Sequence, residues 1–123
     1  MQKQLMLLAI GLLSLLAIPV RVDAHAFAVR AEPRVGSKVK KAPNEVWIWF
    51  SQPIEPALSS IKVFDSTGKQ VDKRNTHLDR ANHALLHVSL KLGLPAGSYK
   101  VMWHATSVDW HVTGGDFKFQ LAP

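Results

Sequence analysis

Apolar–polar alternation, frequent turn signals and the lack of any sustained helical period predict an all-β fold, a β-sandwich of about seven short strands. Leu86, Val88 and Leu90 alternate with His87 and Ser89. Tyr99, Val101, Trp103 and Ala105 alternate with Lys100, Met102, His104 and Thr106, and Phe117, Phe119 and Leu121 alternate with Lys118 and Gln120. Side chains two apart leave a strand on the same side, so each run offers one apolar face to a core. Between the runs stand turn-forming clusters: Glu32-Pro33-Arg34-Val35-Gly36, Ser51-Gln52-Pro53, Asp65-Ser66-Thr67-Gly68 and Pro95-Ala96-Gly97.

Residues 1–24 read as a secretory signal peptide, leaving one domain over residues 25–123. Lys3 supplies a positive start, Leu5 to Ile18 is apolar and uncharged, and Pro19 ends the run. The run is short for a membrane span. Val22-Asp23-Ala24 offers small residues before a cut after Ala24, whereas Ala24-His25-Ala26 offers a second cut after Ala26. The first frees His25 and the second frees Phe27; local sequence does not choose. The chain has no cysteine, so a bacterial lipoprotein anchor is excluded and packing must hold the domain without disulfides. Loss of Lys3, Arg21 and Asp23 lowers the formal charge from +6 to about +5. The lysines are spread, which fits a solvated basic surface and gives no support for nucleic-acid binding.

Ala26 to Ala31 is expected as a first edge strand. Glu45 to Ser51 alternates with apolar residues on both faces, Val46, Ile48 and Phe50 against Trp47 and Trp49, and is placed mid-sandwich. Pro56 to Ser60 suits a single helical turn. Ile61 to Phe64 is a strand, and Lys69 to Lys73 is expected to return antiparallel. Arg74 to Asn82 is polar and unpatterned and reads as a loop. Gly114-Gly115 suggests a bulge or tight bend. Trp47, Trp49, Trp103, Phe117 and Phe119 fit packing positions. Asp65, Asp72 and Asp79 read as solvated turn residues, so no catalytic Ser-His-Asp or paired-carboxylate arrangement is assigned.

The chemistry centres on Ser107-Val108-Asp109-Trp110-His111. In an extended segment Asp109 and His111 leave the same face, a pair of metal ligands short of one or two donors. If His25 begins the mature chain, its α-amine and ring Nδ1 close a six-membered chelate on one metal. Three nitrogens and one carboxylate suit Cu(II), which prefers tetragonal N,O sites; Zn(II), a tetrahedral ion, is second choice. Soft Cu(I) favours sulfur ligands, yet Met102 is the only methionine beyond residue 24. His104 is either an added ligand or supporting group, or an exposed strand histidine. His77, His83 and His87 are candidates for a weak second metal site.

These residues resemble the CopC family of periplasmic copper-binding proteins over essentially the whole mature chain. The resemblance rests on His25-Ala26, Glu32-Pro33 with Gly36-Ser37, Phe50-Ser51-Gln52-Pro53-Ile54-Glu55, Gly97-Ser98-Tyr99 with Val101 and Trp103, Ser107 to His111, and Gly115-Asp116-Phe117-Lys118-Phe119. It implies a Greek-key β-sandwich of Ig-like or cupredoxin-like type, a cut that frees His25, and one Cu(II) per chain held by His25, Asp109 and His111. It further implies a monomeric, non-enzymatic periplasmic protein that buffers or carries copper for resistance or homeostasis and delivers it to an inner-membrane copper transporter of the CopD type. Two features depart from the family: Trp110 stands where Gly is usual, and the methionine-rich Cu(I) site of some members is missing. The rival readings are a copper-dependent oxidative enzyme with a histidine brace, and a metal-free Ig-like envelope interaction module.

Overall fold

The computed structural model describes residues 26–123, so the signal peptide and His25 lie outside the described residues. Eight strands follow in order: β1 (Ala28–Glu32), β2 (Lys38–Val39), β3 (Glu45–Phe50), β4 (Ser60–Phe64), β5 (His77–Leu78), β6 (Leu85–Ser89), β7 (Gly97–Thr106) and β8 (Val112–Leu121). They form two four-stranded sheets, β1-β3-β6-β5 and β2-β8-β7-β4. The chain passes from one sheet to the other between β1 and β2, β2 and β3, β3 and β4, β4 and β5, and β6 and β7. This alternation makes a sandwich with one shared core. The one helical piece among the described residues is the 3-10 turn Pro56–Leu58.

The core is built by the alternation already visible in the chain. Val46, Ile48 and Phe50 from β3 and Leu86 and Val88 from β6 meet Ile61 and Val63 from β4, Tyr99, Val101 and Ala105 from β7, and Phe117, Phe119 and Leu121 from β8. Tyr99 stacks on Phe119 with ring centres 5.4 Å apart, and its hydroxyl donates to the Pro95 carbonyl. Each such side chain, once buried, contributes about 1.5–3 kcal/mol of transfer free energy.

Several expectations need correction. β3 is central within its sheet, but its Trp47–Trp49 face lies on the outside and half-buried, covered by neighbouring side chains rather than by a second layer. The Arg30 guanidinium sits 4.3 Å above the Trp49 ring, and the Trp47 ring lies 4.4 Å from that of His87. The 74–82 segment contains β5, two residues long and paired with β6, so it is not wholly a loop. Residues 69–73 do return antiparallel as expected, but through isolated bridges, Phe64 with Gln70 and Asp72 with Leu90, and not as a continuous strand. Asp72 is buried, not solvated: its carboxylate accepts from the Val63 N–H at 2.8 Å, the Arg74 N–H at 3.1 Å and the Gln70 side chain at 3.2 Å. Buried carboxylates persist only with partners of this kind. Met102 points outward and is exposed.

The glycine pair marks no bulge. β7 and β8 pair without interruption from Gly97–Leu121 to Thr106–Val112, with His104 opposite Gly114 and Trp103 opposite Gly115. Glycine is needed at 115 because the Trp103 ring lies against the backbone: an added Cβ would stand 2.9 Å from its Cζ2. That ring also meets Phe50 edge-on at 5.3 Å, which limits its retreat. Gly115→Ala is expected to destabilise the domain by about 1–3 kcal/mol, read as a lower urea midpoint; Gly114→Ala is the milder comparison, its nearest neighbour being a backbone oxygen at 3.3 Å.

Candidate metal centre

The ten-residue β7–β8 ladder ends in the turn 107–111. The turn is closed by backbone bonds from Ser107 N–H to the His111 carbonyl and from Trp110 N–H to the Ser107 carbonyl, both 2.9 Å. It is strapped to the 53–55 segment: Val108 N–H donates to the Pro53 carbonyl, Glu55 N–H donates to the Thr106 carbonyl, and Ile54 bridges Ser107. Asp109 and His111 therefore sit in a tight turn, not in the extended segment expected. They nevertheless converge. Asp109 Oδ2 and His111 Nδ1 are 3.2 Å apart, each side chain a little over 40% exposed.

That spacing suits two adjacent ligands. Donor atoms each about 2 Å from one ion stand roughly 2.8 Å apart at a right angle and roughly 3.3 Å in a tetrahedron. Ser107 holds the arrangement from beneath. It is fully buried, its hydroxyl donates to Asp109 Oδ1, and its oxygen accepts from the His111 N–H at 3.2 Å. The Ser107 hydroxyl, followed by the His111 ring, holds the Asp109 carboxyl below the ordinary carboxylate range. Asp109 is thus a carboxylate ready to accept a cation at neutral pH.

Trp110 occupies the left-handed region with φ of 71°. An L-residue there costs roughly 1–2 kcal/mol that glycine avoids. The residue is 71% exposed.

The third expected ligand, His25, lies outside the described residues. Its neighbours are firmly held. Ala26 is completely buried, and its carbonyl accepts from the Thr113 hydroxyl at 2.7 Å. Phe27 N–H donates to Ser51 Oγ and Ser51 N–H donates to the Phe27 carbonyl, both at 2.9 Å. Thr113 is two residues from His111, so the start of the described chain is fastened beside the turn. Ser107, Thr113 and Ser51 carry roles that residue type alone did not reveal; their small hydroxyls next to the motif and the turn were the available signal.

The remaining histidines separate. His104 is exposed on the outer face of β7, registered with Ser60 and Gly114, as an exposed strand histidine would be. His83 is exposed, and its carbonyl accepts from the Ile54 N–H. His77 and His87 come together on the opposite sheet, joined by Glu45, which the sequence did not suggest.

The molecule is thus an eight-stranded sandwich with a carboxylate–imidazole turn beside its first described residues. Residues 28–122 match the CopC domain, and the chain belongs to the CopC family. It is 37% identical over 110 residues to the copper transport protein CutJ of Bacillus subtilis, covering 89% of this chain but only 20% of that protein's length. It is 27% identical to protein YobA of Escherichia coli strain K12 over 92% of this chain and 91% of that one. The crystal structure of CopC from Methylosinus trichosporium OB3b superposes with a TM-score of 0.75 at 33% identity, covering 80% of this chain and 95% of that one. PcoC, a methionine-rich copper resistance protein from Escherichia coli, gives a TM-score of 0.68 at 25% identity, covering 80% and 99%. The Greek-key β-sandwich implied by the family resemblance is thus the fold observed.

Two substitutions test the turn. Ser107→Ala is expected to raise the Asp109 titration midpoint toward the ordinary carboxylate range, measured by carbon NMR of the side-chain carboxyl. Trp110→Gly is expected to stabilise the domain by about 0.5–1 kcal/mol, the left-handed penalty relieved less the added entropy of glycine in the unfolded chain, read by urea unfolding.

Proposed function

We propose that this chain is exported to the periplasm, begins at His25 once its signal peptide is removed, and binds one Cu(II) through His25, Asp109 and His111. The observation that carries the reading is the Thr113–Ala26 hydrogen bond beside the Asp109–His111 turn. The Cα of a residue preceding Ala26 is fixed by a trans peptide at about 3.8 Å from that of Ala26. An amine and imidazole on that residue are therefore within reach of the turn. The burial of Ala26 also favours cleavage after Ala24, because a cut after Ala26 would remove a side chain from the core and a partner from Thr113.

Under this reading the α-amine and Nδ1 of His25 chelate the ion together. His111 adds a third nitrogen and Asp109 an anionic oxygen, a set matched to Cu(II). Asp109 would add a carboxylate where an oxygen-activating centre keeps a position open, so the protein buffers or carries copper and is not an enzyme. The half-exposed ligands lie at the tip of a hairpin, where an acceptor can approach them. PcoC is described as methionine-rich; here Met102 is the only methionine from residue 25 onward, and it is exposed. One thioether makes no Cu(I) site, so the reading is of a Cu(II) carrier. In CutJ the matching segment is a fraction of a longer copper transport protein. That supports delivery to an inner-membrane copper transporter of the CopD type, in service of copper resistance or homeostasis.

The test is a Cu(II) competition titration at substoichiometric metal, using mature protein of verified N-terminal mass. His111→Ala, and separately one extra residue placed before His25, are each expected to weaken binding at least roughly tenfold. If either variant holds Cu(II) as tightly as the parent, the ligand set is wrong.

A further inference from the structure

We propose a second metal site on the outer face of the β1-β3-β6-β5 sheet, formed by Glu45, His77 and His87, that takes a borderline divalent cation such as Zn(II). The three residues start β3, start β5 and occupy the middle of β6. Each offers a ligand atom, and these atoms all lie within 4.8 Å of one another. A tetrahedral Zn(II) with bonds of about 2.0 Å needs them roughly 3.3 Å apart. The difference is within the swing of Glu45 and His77, which are both partly open to solvent.

The hydrogen bonds around the cluster already orient it for a cation. His77 Nδ1 lies 2.7 Å from the Asn75 carbonyl, which can only accept, so Nδ1 carries the proton and Nε2 the lone pair. His87 is 90% buried and is bracketed by carboxylates: Asp79 Oδ1 at 3.0 Å from Nε2 and Glu45 Oε1 at 3.6 Å from Nδ1. Asp79 Oδ1 is near enough to receive an Nε2 proton, although Nε2 makes no well-aligned hydrogen bond as the side chains stand; the Glu45 contact is too long for one. A neutral imidazole has one N–H for these two acceptors. With that proton turned to Asp79, a lone pair faces Glu45 across a gap that a cation fills. A carboxylate or carbonyl on the far nitrogen of each histidine is the usual support of metal-bound imidazoles. Trp47 completes the site, donating from Nε1 to Glu45 Oε1 at 3.1 Å and covering one face of the His87 ring.

This site shares no residue with the Asp109–His111 turn. The turn is strapped to residues 53–55, beyond the Phe50 end of β3, whereas Glu45 starts that strand, about 16 Å away at 3.3 Å per residue. The two sites can therefore be tested separately. His83, grouped with His77 and His87 by sequence, is not part of the cluster.

The experiment uses the mature protein carrying His111→Ala, which weakens the first site. Zn(II) is titrated in competition with a chromophoric chelator, and Co(II) is added separately to read ligand geometry from its visible absorption. One equivalent of Zn(II) is expected to bind, with a tetrahedral Co(II) spectrum. His77→Ala and Glu45→Gln, both at accessible side chains, are each expected to weaken Zn(II) at least tenfold, with far-ultraviolet circular dichroism unchanged. His83→Ala is expected to leave binding as it was. If Zn(II) fails to bind, the proposal falls. It falls equally if His77→Ala and Glu45→Gln bind Zn(II) as tightly as their parent.

Discussion

One hydrogen bond, from the Thr113 hydroxyl to the Ala26 carbonyl, joins two parts of the chain that are 87 residues apart. Its donor stands on β8 just past the turn, and its acceptor is the first described residue. Without it the Asp109–His111 pair is an ordinary exposed carboxylate–imidazole contact of little energetic weight. With it, a carboxylate and an imidazole lie next to the first described residues. The long β7–β8 ladder supplies the rigidity on which this depends, because its ten unbroken pairs hold Ser107, Asp109 and His111 in register with Thr113.

The same economy governs the turn itself. Ser107 is buried and serves both halves of the site, giving its proton to Asp109 and accepting from the His111 backbone. Trp110 takes a conformation better suited to glycine. The strain sits between two metal-ligand candidates, a place where such costs are commonly retained. The electrostatics are local: the domain's basic charge is dispersed, while the carboxylate of the turn is kept ionised by its own hydroxyl and imidazole neighbours.

Much of the sandwich was legible in the sequence because period-two alternation is strong over residues 85–121. β2 and β5 were not, since two residues are too few to show a period and their pairing is decided by distant partners. Gly114-Gly115 looked like a bulge because the cross-strand position of Trp103 cannot be read from the order of residues. Trp47 and Trp49 looked enclosed because an apolar face has the same pattern whether a second layer or its own neighbours cover it. Asp72 looked solvated because nothing local marks the buried amide it serves. At the turn, the ligand types were evident from Asp-x-His, but the backbone form and the part of Ser107 were tertiary facts. The Glu45–His77–His87 cluster was half visible: the histidines were noticed, while Glu45 and Asp79 reach them only through sheet register.

The most direct test of the central claim is electron–nuclear double resonance on mature protein loaded with one equivalent of Cu(II), with the α-amine of residue 25 labelled with nitrogen-15. The account expects a tetragonal spectrum with a strong coupling from the labelled amine alongside two imidazole nitrogens. A spectrum showing imidazole couplings alone, with the labelled nitrogen silent, would contradict it.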